Sequence, residues 1–476
     1  MGNTLLQLYH RLPAPLRIVA ASLHGLKLRS WRYGPETERL TAEALEREYW
    51  SPRRWKTWQE ERLACVLHRA ATQVPYYREQ WTARRRQGDR ASWEYLENWP
   101  ILTKESLRAS PKAFVADDRD VRHLYHDHTA GTTGTPLDLW YSRETVRAWH
   151  ALLELRARRW NGVSRHESWA TLGGLPVVPA HTQRPPFWVW NPAMKQLYLS
   201  AFHVSQRNAP AYMSALRRYG VTHMLAYSSS ISVLARAALD FGLRPAALPK
   251  LIITIGEPLF PWQRETIHAG LGSEVRESYG MAEFVAAATE CSSGTLHLWP
   301  EVGWLEVLGE TDDALVPPGT SGRLVCTSLL NDGMPLVRYA VGDRGRVATK
   351  DAGCPCGRTL PILAGIEGRA FDLLVTRDGR QFSMMNPTFF GLPVREAQII
   401  QETLDQVRIR YVPAPAFMPE TERTMIERLQ ALMGAVEVIL ERVDEVPRAA
   451  NGKFQGVICN LPPEQRELLP QANGPK

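Results

Sequence analysis

The chain has 476 residues, 44 % of them hydrophobic and 22 % charged, with a formal net charge of +7. That length exceeds one ordinary core and implies roughly two to four structural units, and the composition excludes a disordered or fibrous chain. Six cysteines without dense regular spacing argue against a disulfide framework and for a reducing compartment, so a cytoplasmic location is expected. The positive balance suits a protein that handles anions or rests against an acidic surface. Its densest run, Arg84-Arg85-Arg86, reads as wet surface, and no nucleic-acid partner is expected.

In chain order, Leu5 to Trp31 is interrupted by Arg11, Arg17, His24, Lys27 and Arg29, so it lacks the apolar region of a signal peptide. Its Leu16–Trp31 part reads either as a basic amphipathic helix in peripheral association with a membrane or as a helix docked on the protein's own core. Residues 1–100 read as a mainly helical segment packed on the next unit, and Thr103 caps the start of a short helix after Ile101-Leu102. Leu137–Tyr141 predicts a strand and Glu144–Trp160 has the period of a helix. From Tyr219 onward strands and helices alternate: Thr222–Ala226, Ile231–Phe241, then the apolar run Leu251–Thr254. This predicts an α/β fold, with a β-rich part over residues 300–350 broken by Pro317-Pro318-Gly319 and Asn331-Asp332-Gly333. A large unit over 101–370 and a small α+β unit over 371–476, containing a helix Glu420–Met433, complete the expected layout.

Thr129-Ala130-Gly131-Thr132-Thr133-Gly134-Thr135-Pro136 has the composition of a phosphate-wrapping loop: glycine lets backbone N–H groups approach an anion, and threonine hydroxyls add donors. It is not a Walker loop, because Thr135-Pro136 stands where Lys-Ser/Thr would follow the glycine. Tyr279-Gly280-Met281-Ala282-Glu283 offers an aromatic face for adenine and a carboxylate for Mg²⁺. Arg338-Tyr339-Ala340-Val341-Gly342-Asp343 sets a carboxylate after a glycine, suited to ribose hydroxyls. Gly368-Arg369 and Asn451-Gly452-Lys453-Phe454 add cations. Taken singly, each is equally at home as ordinary structure, Asp343 capping a turn and Lys453 solvated.

Their order, with Gly256-Glu257-Pro258 between the first two, resembles the adenylate-forming acyl-CoA synthetase superfamily. Ile255-Gly256-Glu257-Pro258 and Cys354–Pro361 look like the phenylacetate-CoA ligase family, in its capsular-polysaccharide (CapK-like) branch, over about residues 100–456. The resemblance implies a large adenylate-forming domain and a small mobile C-terminal lid. It implies ATP, Mg²⁺, a carboxylic acid and a thiol acceptor, commonly coenzyme A. The acid would first attack the α-phosphate, and the thiol would then displace AMP. By the same resemblance Lys453, Glu283 and Thr132 are the catalytic residues, with Glu283 on Mg²⁺. Thr129, Gly131, Thr132, Thr133, Gly134 and Thr135 hold phosphates, Gly256, Glu257, Pro258, Tyr279 and Gly280 wall the adenine, and Asp343 and Arg369 hold the ribose. Three departures stand out: Phe371 beside the expected pivot, Ala282 for a hydroxyl residue, and Thr135 for a frequent lysine. A different second acceptor, such as a sugar amine or hydroxyl or transfer of AMP itself, is the first alternative, and a non-catalytic nucleotide-binding protein the second.

Cys354-Pro355-Cys356 with Cys291 and His297 forms a Cys₃His set suited to structural zinc, although buried cysteines also serve as small apolar groups. Relatives with zinc favour the metal. The aromatic stretch Thr171–Trp190 reads as either acyl pocket or core.

Overall fold

A computed structural model of the chain describes residues 3–129, 137–179, 181–205, 207–242, 249–257, 259, 261–309, 312–349, 352–366, 374–377, 381–382, 386–389, 392–414, 416–444, 446–447, 456–462 and 465. Five helices come first: α1 (Asn3–Arg11), α2 (Ala14–Arg32), α3 (Thr37–Arg47), α4 (Pro52–Gln73) and α5 (Pro75–Arg86). Ser51 caps α4 by accepting the Arg54 N–H, with Pro52 at the first helical position, where no N–H is missed. The short α6 (Lys104–Ala109) starts as expected at Thr103, whose hydroxyl accepts the Ser106 N–H. Strands β1 (Tyr125–His128) and β2 (Asp138–Tyr141) then pair antiparallel, with His128 opposite Asp138.

The helix expected over Glu144–Trp160 is divided. Helix α7 (Arg143–Leu152) runs into a wider π-helical turn, Leu153–Arg158. That turn carries Glu154, Arg156 and Arg158, all buried. Arg156 makes a bidentate pair with Glu301, both bonds 2.8 Å, and Arg158 Nη1 lies 3.8 Å from Glu154 Oε2. Burying charges at such short spacing requires partners inside the protein: Glu154 and Arg158 pair within the turn, whereas Arg156 takes its partner from far away in the chain.

The central sheet holds β3 (Trp169–Gly173), β4 (Trp188–Asn191), β5 (Gln196–Ser200), β6 (His223–Ala226), β7 (Leu251–Thr254), β8 (Glu274–Gly280), β9 (Ala287–Glu290) and β10 (Leu296–Leu298), in the order β10-β9-β8-β7-β6-β3-β5-β4. Strands β5, β3, β6, β7 and β8 are parallel, so their carboxyl ends share one edge. Helices α8 (Ala209–Arg218), α9 (Ser228–Asp240) and α10 (Pro261–Leu271) alternate with these strands. Ala170, Met224 and Ile252 pack among side chains of these helices, while Leu251 and Ile253 pack on Ala157 and Val163. Coverage on both faces explains why all four residues of β7 are buried and apolar or hydrogen-bonded.

A second, antiparallel sheet runs β11 (Gly303–Leu308), β12 (Gly322–Ser328), β13 (Tyr339–Val347) and β14 (Leu363–Ile366), matching the β-rich reading of 300–350. After the two-stranded pair β15 (Leu374–Val375) and β16 (Gln381–Phe382) comes the short α11 (Asn386–Phe389). A four-stranded sheet β19-β18-β17-β20 follows, from β17 (Val394–Gln401), β18 (Gln406–Pro413), β19 (Glu437–Arg442) and β20 (Val457–Cys459). Helix α12 (Pro419–Met433) covers it, burying Met425, Leu429 and Met433 against Ile399, Val407 and Ile409.

Candidate nucleotide and metal sites

Two of the motifs, Gly256-Glu257 after β7 and Tyr279–Glu283 at the end of β8, lie at the carboxyl edge of the parallel strands, the position where open α/β sheets place ligands. Thr254 pairs with Glu277 across β7 and β8, so Gly256 and Tyr279, each two residues further on, emerge side by side. Gly256 has φ +72°, and a Cβ there would lie 3.1 Å from the Tyr227 ring, so the turn after β7 requires glycine. Glu257 accepts a 3.2 Å bond from the Ser228 hydroxyl at the start of α9. Burial pushes the Tyr227 hydroxyl up to about 12, with the Gly174 N–H opposing and Glu257 adding to the rise. Glu277 is likewise pushed up, by burial and then by Glu290, while it accepts the backbone N–H of Leu259. These contacts fix the turn from both sides.

Glu283 sits in the turn after β8 and is buried. The Tyr339 hydroxyl donates to its Oε1 at 2.8 Å, and the Lys104 ammonium lies 3.6 Å from the same oxygen. Tyr141 of β2 donates its hydroxyl to the Ala282 carbonyl, so the strand that follows the Thr/Gly loop is tied to the Glu283 turn. At the other end of that loop, Thr129 pairs with Leu137 through N–H to carbonyl and N–H to hydroxyl bonds, both 3.0 Å. Tyr279 reaches a different carboxylate from its motif neighbour: its hydroxyl donates to Asp343 Oδ2 at 3.0 Å. Gly280 faces the Trp149 ring, which a Cβ would meet at an ordinary 3.7 Å.

Arg338 points away from this edge. With φ +48°, it bonds Glu306 through Nε and Nη2, both 3.2 Å, and donates Nη1 to the Trp99 carbonyl at 2.9 Å. It therefore shapes the start of β13, whose next residue is Tyr339. Lys104, Tyr339 and Tyr141 were missed in the sequence because their relation to Glu283 spans long chain separations; the Thr103 cap was the one local sign that Lys104 is held in a fixed place.

Loop residues 131–135 (Gly131, Thr132, Thr133, Gly134 and Thr135), Pro258, Arg369, Phe371 and Lys453 lie outside the described residues.

Cys291, His297, Cys354 and Cys356 converge, with all ligand atoms within 4.8 Å of one another. Cys291 Sγ is 3.6 Å from Cys354 Sγ, and Cys356 Sγ is 3.4 Å from His297 Nε2. A tetrahedron with zinc bonds of about 2.3 Å to sulfur and 2.0 Å to nitrogen has edges of roughly 3.5–3.8 Å, so the donor set fits zinc. His297 Nδ1 faces the Leu360 carbonyl at 3.2 Å, which fixes the proton there and leaves Nε2 for a metal. The cluster joins β10 to the loop before β14, and Arg358 in that loop bonds Glu48 at 2.7 Å. Of the other cysteines, Cys326 and Cys459 are buried and Cys65 exposed.

A parallel sheet with the Gly256 and Glu283 turns at its carboxyl edge, followed by the β11–β14 sheet and a small α+β unit, is also the fold of 2-hydroxyisobutyryl-CoA ligase. The structure of 2-hydroxyisobutyryl-CoA ligase with 2-HIB-AMP and CoA, in its thioesterification state, aligns with a TM-score of 0.58 at 21 % identity, covering 87 % of this chain and 91 % of that one. The same ligase in its postadenylation state gives 0.53, covering 89 % and 93 %. Among characterised proteins the chain is similar to Protein CapK of Staphylococcus aureus, 22 % identical over 77 % of this chain and 80 % of the relative. It is also similar to phenylacetate-coenzyme A ligase of Thermus thermophilus, 25 % identical over 90 % and 99 %. Residues 375–460 match the CapK C-terminal domain.

Proposed function

We propose that the chain is an AMP-forming acid–thiol ligase. It activates a carboxylic acid with ATP, releases pyrophosphate, and passes the acyl group to the thiol of coenzyme A. The observation that carries this reading is the convergence of Glu283, Tyr279–Asp343 and the Gly256-Glu257 turn beside the anchored ends of the Thr/Gly loop. The names of the phenylacetate-coenzyme A ligase and CapK relatives support the activity and a role in capsule or exopolysaccharide biosynthesis.

Bringing a carboxylate to the α-phosphate joins two anions, so positive charge must offset their repulsion. Lys453 is assigned to the attacking carboxylate and α-phosphate, and Thr132 with its loop neighbours to the departing pyrophosphate. A buried carboxylate facing substrate phosphates suits Mg²⁺, which typically takes one or two protein carboxylates beside phosphate oxygens, and Glu283 is the residue that would hold it. When bound, Mg²⁺ supplies neutralisation of phosphate charge. Tyr339 orients the Glu283 carboxylate, Asp343 and Arg369 hold the ribose, and Tyr279 flanks the adenine. Zinc on Cys291, His297, Cys354 and Cys356 serves structure, tying the segment after Glu283 to the loop before Arg369. Use of ATP and coenzyme A, and cysteines without a disulfide framework, support a cytoplasmic location.

The test is a carboxylic-acid panel followed by pyrophosphate release, with and without coenzyme A. At least one acid is expected to give pyrophosphate alone and AMP turnover on adding coenzyme A, and Lys453→Ala is expected to abolish the first step while ATP still binds. Acid-dependent pyrophosphate exchange with no coenzyme A-dependent AMP release would assign another acceptor, and full turnover by Lys453→Ala would remove the lysine from its role.

A further inference from the structure

Helices α1 and α2 carry two apolar faces, and among the described residues only one is used inside the protein. Their inner face is docked. Gly25 is buried, and a Cβ there would come within 2.3–2.4 Å of the Asn191 amide atoms, so α2 rests its backbone on β4. Tyr9, Ile18 and Ala21 pack on Val177, Val178 and Val189, and the Tyr9 hydroxyl donates to the Val177 carbonyl at 3.1 Å.

The outer face carries Leu5, Leu8, Leu16, Val19, Leu23 and Leu26, each between 50 % and 64 % exposed. Their spacing, i and i+3 on α1 and i, i+3, i+7, i+10 on α2, makes one stripe per helix. Among the described residues, fourteen large apolar side chains are exposed, so these two helices hold nearly half of them. Residues 3–35 also contain Arg11, Arg17, Lys27, Arg29 and Arg32 but no aspartate or glutamate. Arg11, Lys27 and Arg29 are exposed beside the stripe.

We propose that α1 and α2 form an interfacial anchor that lies flat on a bilayer surface rich in anionic lipid, with the leucine stripe in the acyl boundary and the cations at the headgroups. No helix of the described residues is long and apolar enough to cross a membrane, and a stripe on one side of each helix suits lying in the plane. Charge selects a lipid surface over a second copy of the chain: a two-fold pairing of identical stripes would set like cations together.

Flotation of the full chain with vesicles tests this. Binding is expected to phosphatidylglycerol-containing vesicles, to weaken with salt, and to be much lower on phosphatidylcholine alone. Leu16→Glu with Leu23→Glu should lower the affinity at least roughly tenfold, and Lys27→Glu with Arg29→Glu at least roughly thirtyfold. Both changes are on exposed positions, so circular dichroism and thermal unfolding should match the unaltered chain. The anchor is refuted if the unaltered chain ignores anionic vesicles, or if the leucine variant binds them equally. A dimer that the leucine variant splits, with no vesicle binding, would instead assign the stripe to a second copy.

Discussion

Arg338 belongs to a motif that would ordinarily be assigned to the nucleotide, yet the structure gives it a buried partner. Its guanidinium makes two 3.2 Å contacts with Glu306 and one 2.9 Å bond to the Trp99 carbonyl, at side-chain exposures of 7 % and 8 % for the ion pair. Arg338→Met therefore strands a buried carboxylate and a carbonyl. Removing one partner of a buried pair costs about 3–5 kcal/mol, and Glu306→Gln in the same chain should return at least about 2 kcal/mol by removing the stranded charge. Burial pushes the Glu306 carboxyl up, and Arg338 pulls it back down. Without Arg338 the folded value rises further, so the folded state holds a proton that the unfolded state has released. The loss of stability is then small below the unfolded carboxylate range and grows as pH rises. The assay is urea unfolding followed by tryptophan fluorescence, at acidic and neutral pH, for both single variants and the pair. Additive single effects, or a normally stable Arg338→Met that has lost acid-dependent pyrophosphate release, would refute the structural role.

Three other expectations can be checked separately. The purified chain should carry about one zinc, and Cys354→Ser with Cys356→Ser should lose it and melt at a lower temperature; full metal content in that variant would exclude this donor set. Lys104→Gln removes a cation 3.6 Å from Glu283, so half-saturation by Mg²⁺ should fall at least roughly fivefold; an unchanged value would separate Glu283 from the metal. Buried His223 has its pKa lowered to about 3, by burial and then by Arg158, whose Nε donates to His223 Nε2 at 3.1 Å. Thr222 and Glu167 face its other nitrogen at 3.0 and 3.9 Å. With the folded value below the ordinary 6.5, its stabilising share is complete above that pH and lost as pH falls toward 3, about 2 kcal/mol of it by pH 5. His223→Gln keeps an acceptor for Arg158 and should flatten the pH dependence by that amount; an unchanged slope would show that another group titrates.

The sequence alone determined what short-range chemistry can encode. The run Leu251–Ile253 is apolar because both faces of β7 are covered, and Thr103 announces a helix start. The Cys/His set was legible because metal ligands are few in type, and four of them meet here. What only the tertiary structure decided are pairings between distant residues, which leave no periodic or compositional trace. Tyr279 and Glu283 are four residues apart yet serve different carboxylate contacts, Asp343 and Tyr339 being brought in by β13. The charged run after α7 looks like an exposed helix face until Glu301, 145 residues from Arg156, turns it inward. The first two helices alternate apolar and basic residues in a way that fits docking or a membrane equally; packing on β4 uses one face and leaves the leucine stripe outside. Local pattern fixes which face of an element is apolar, and only assembly fixes what that face meets.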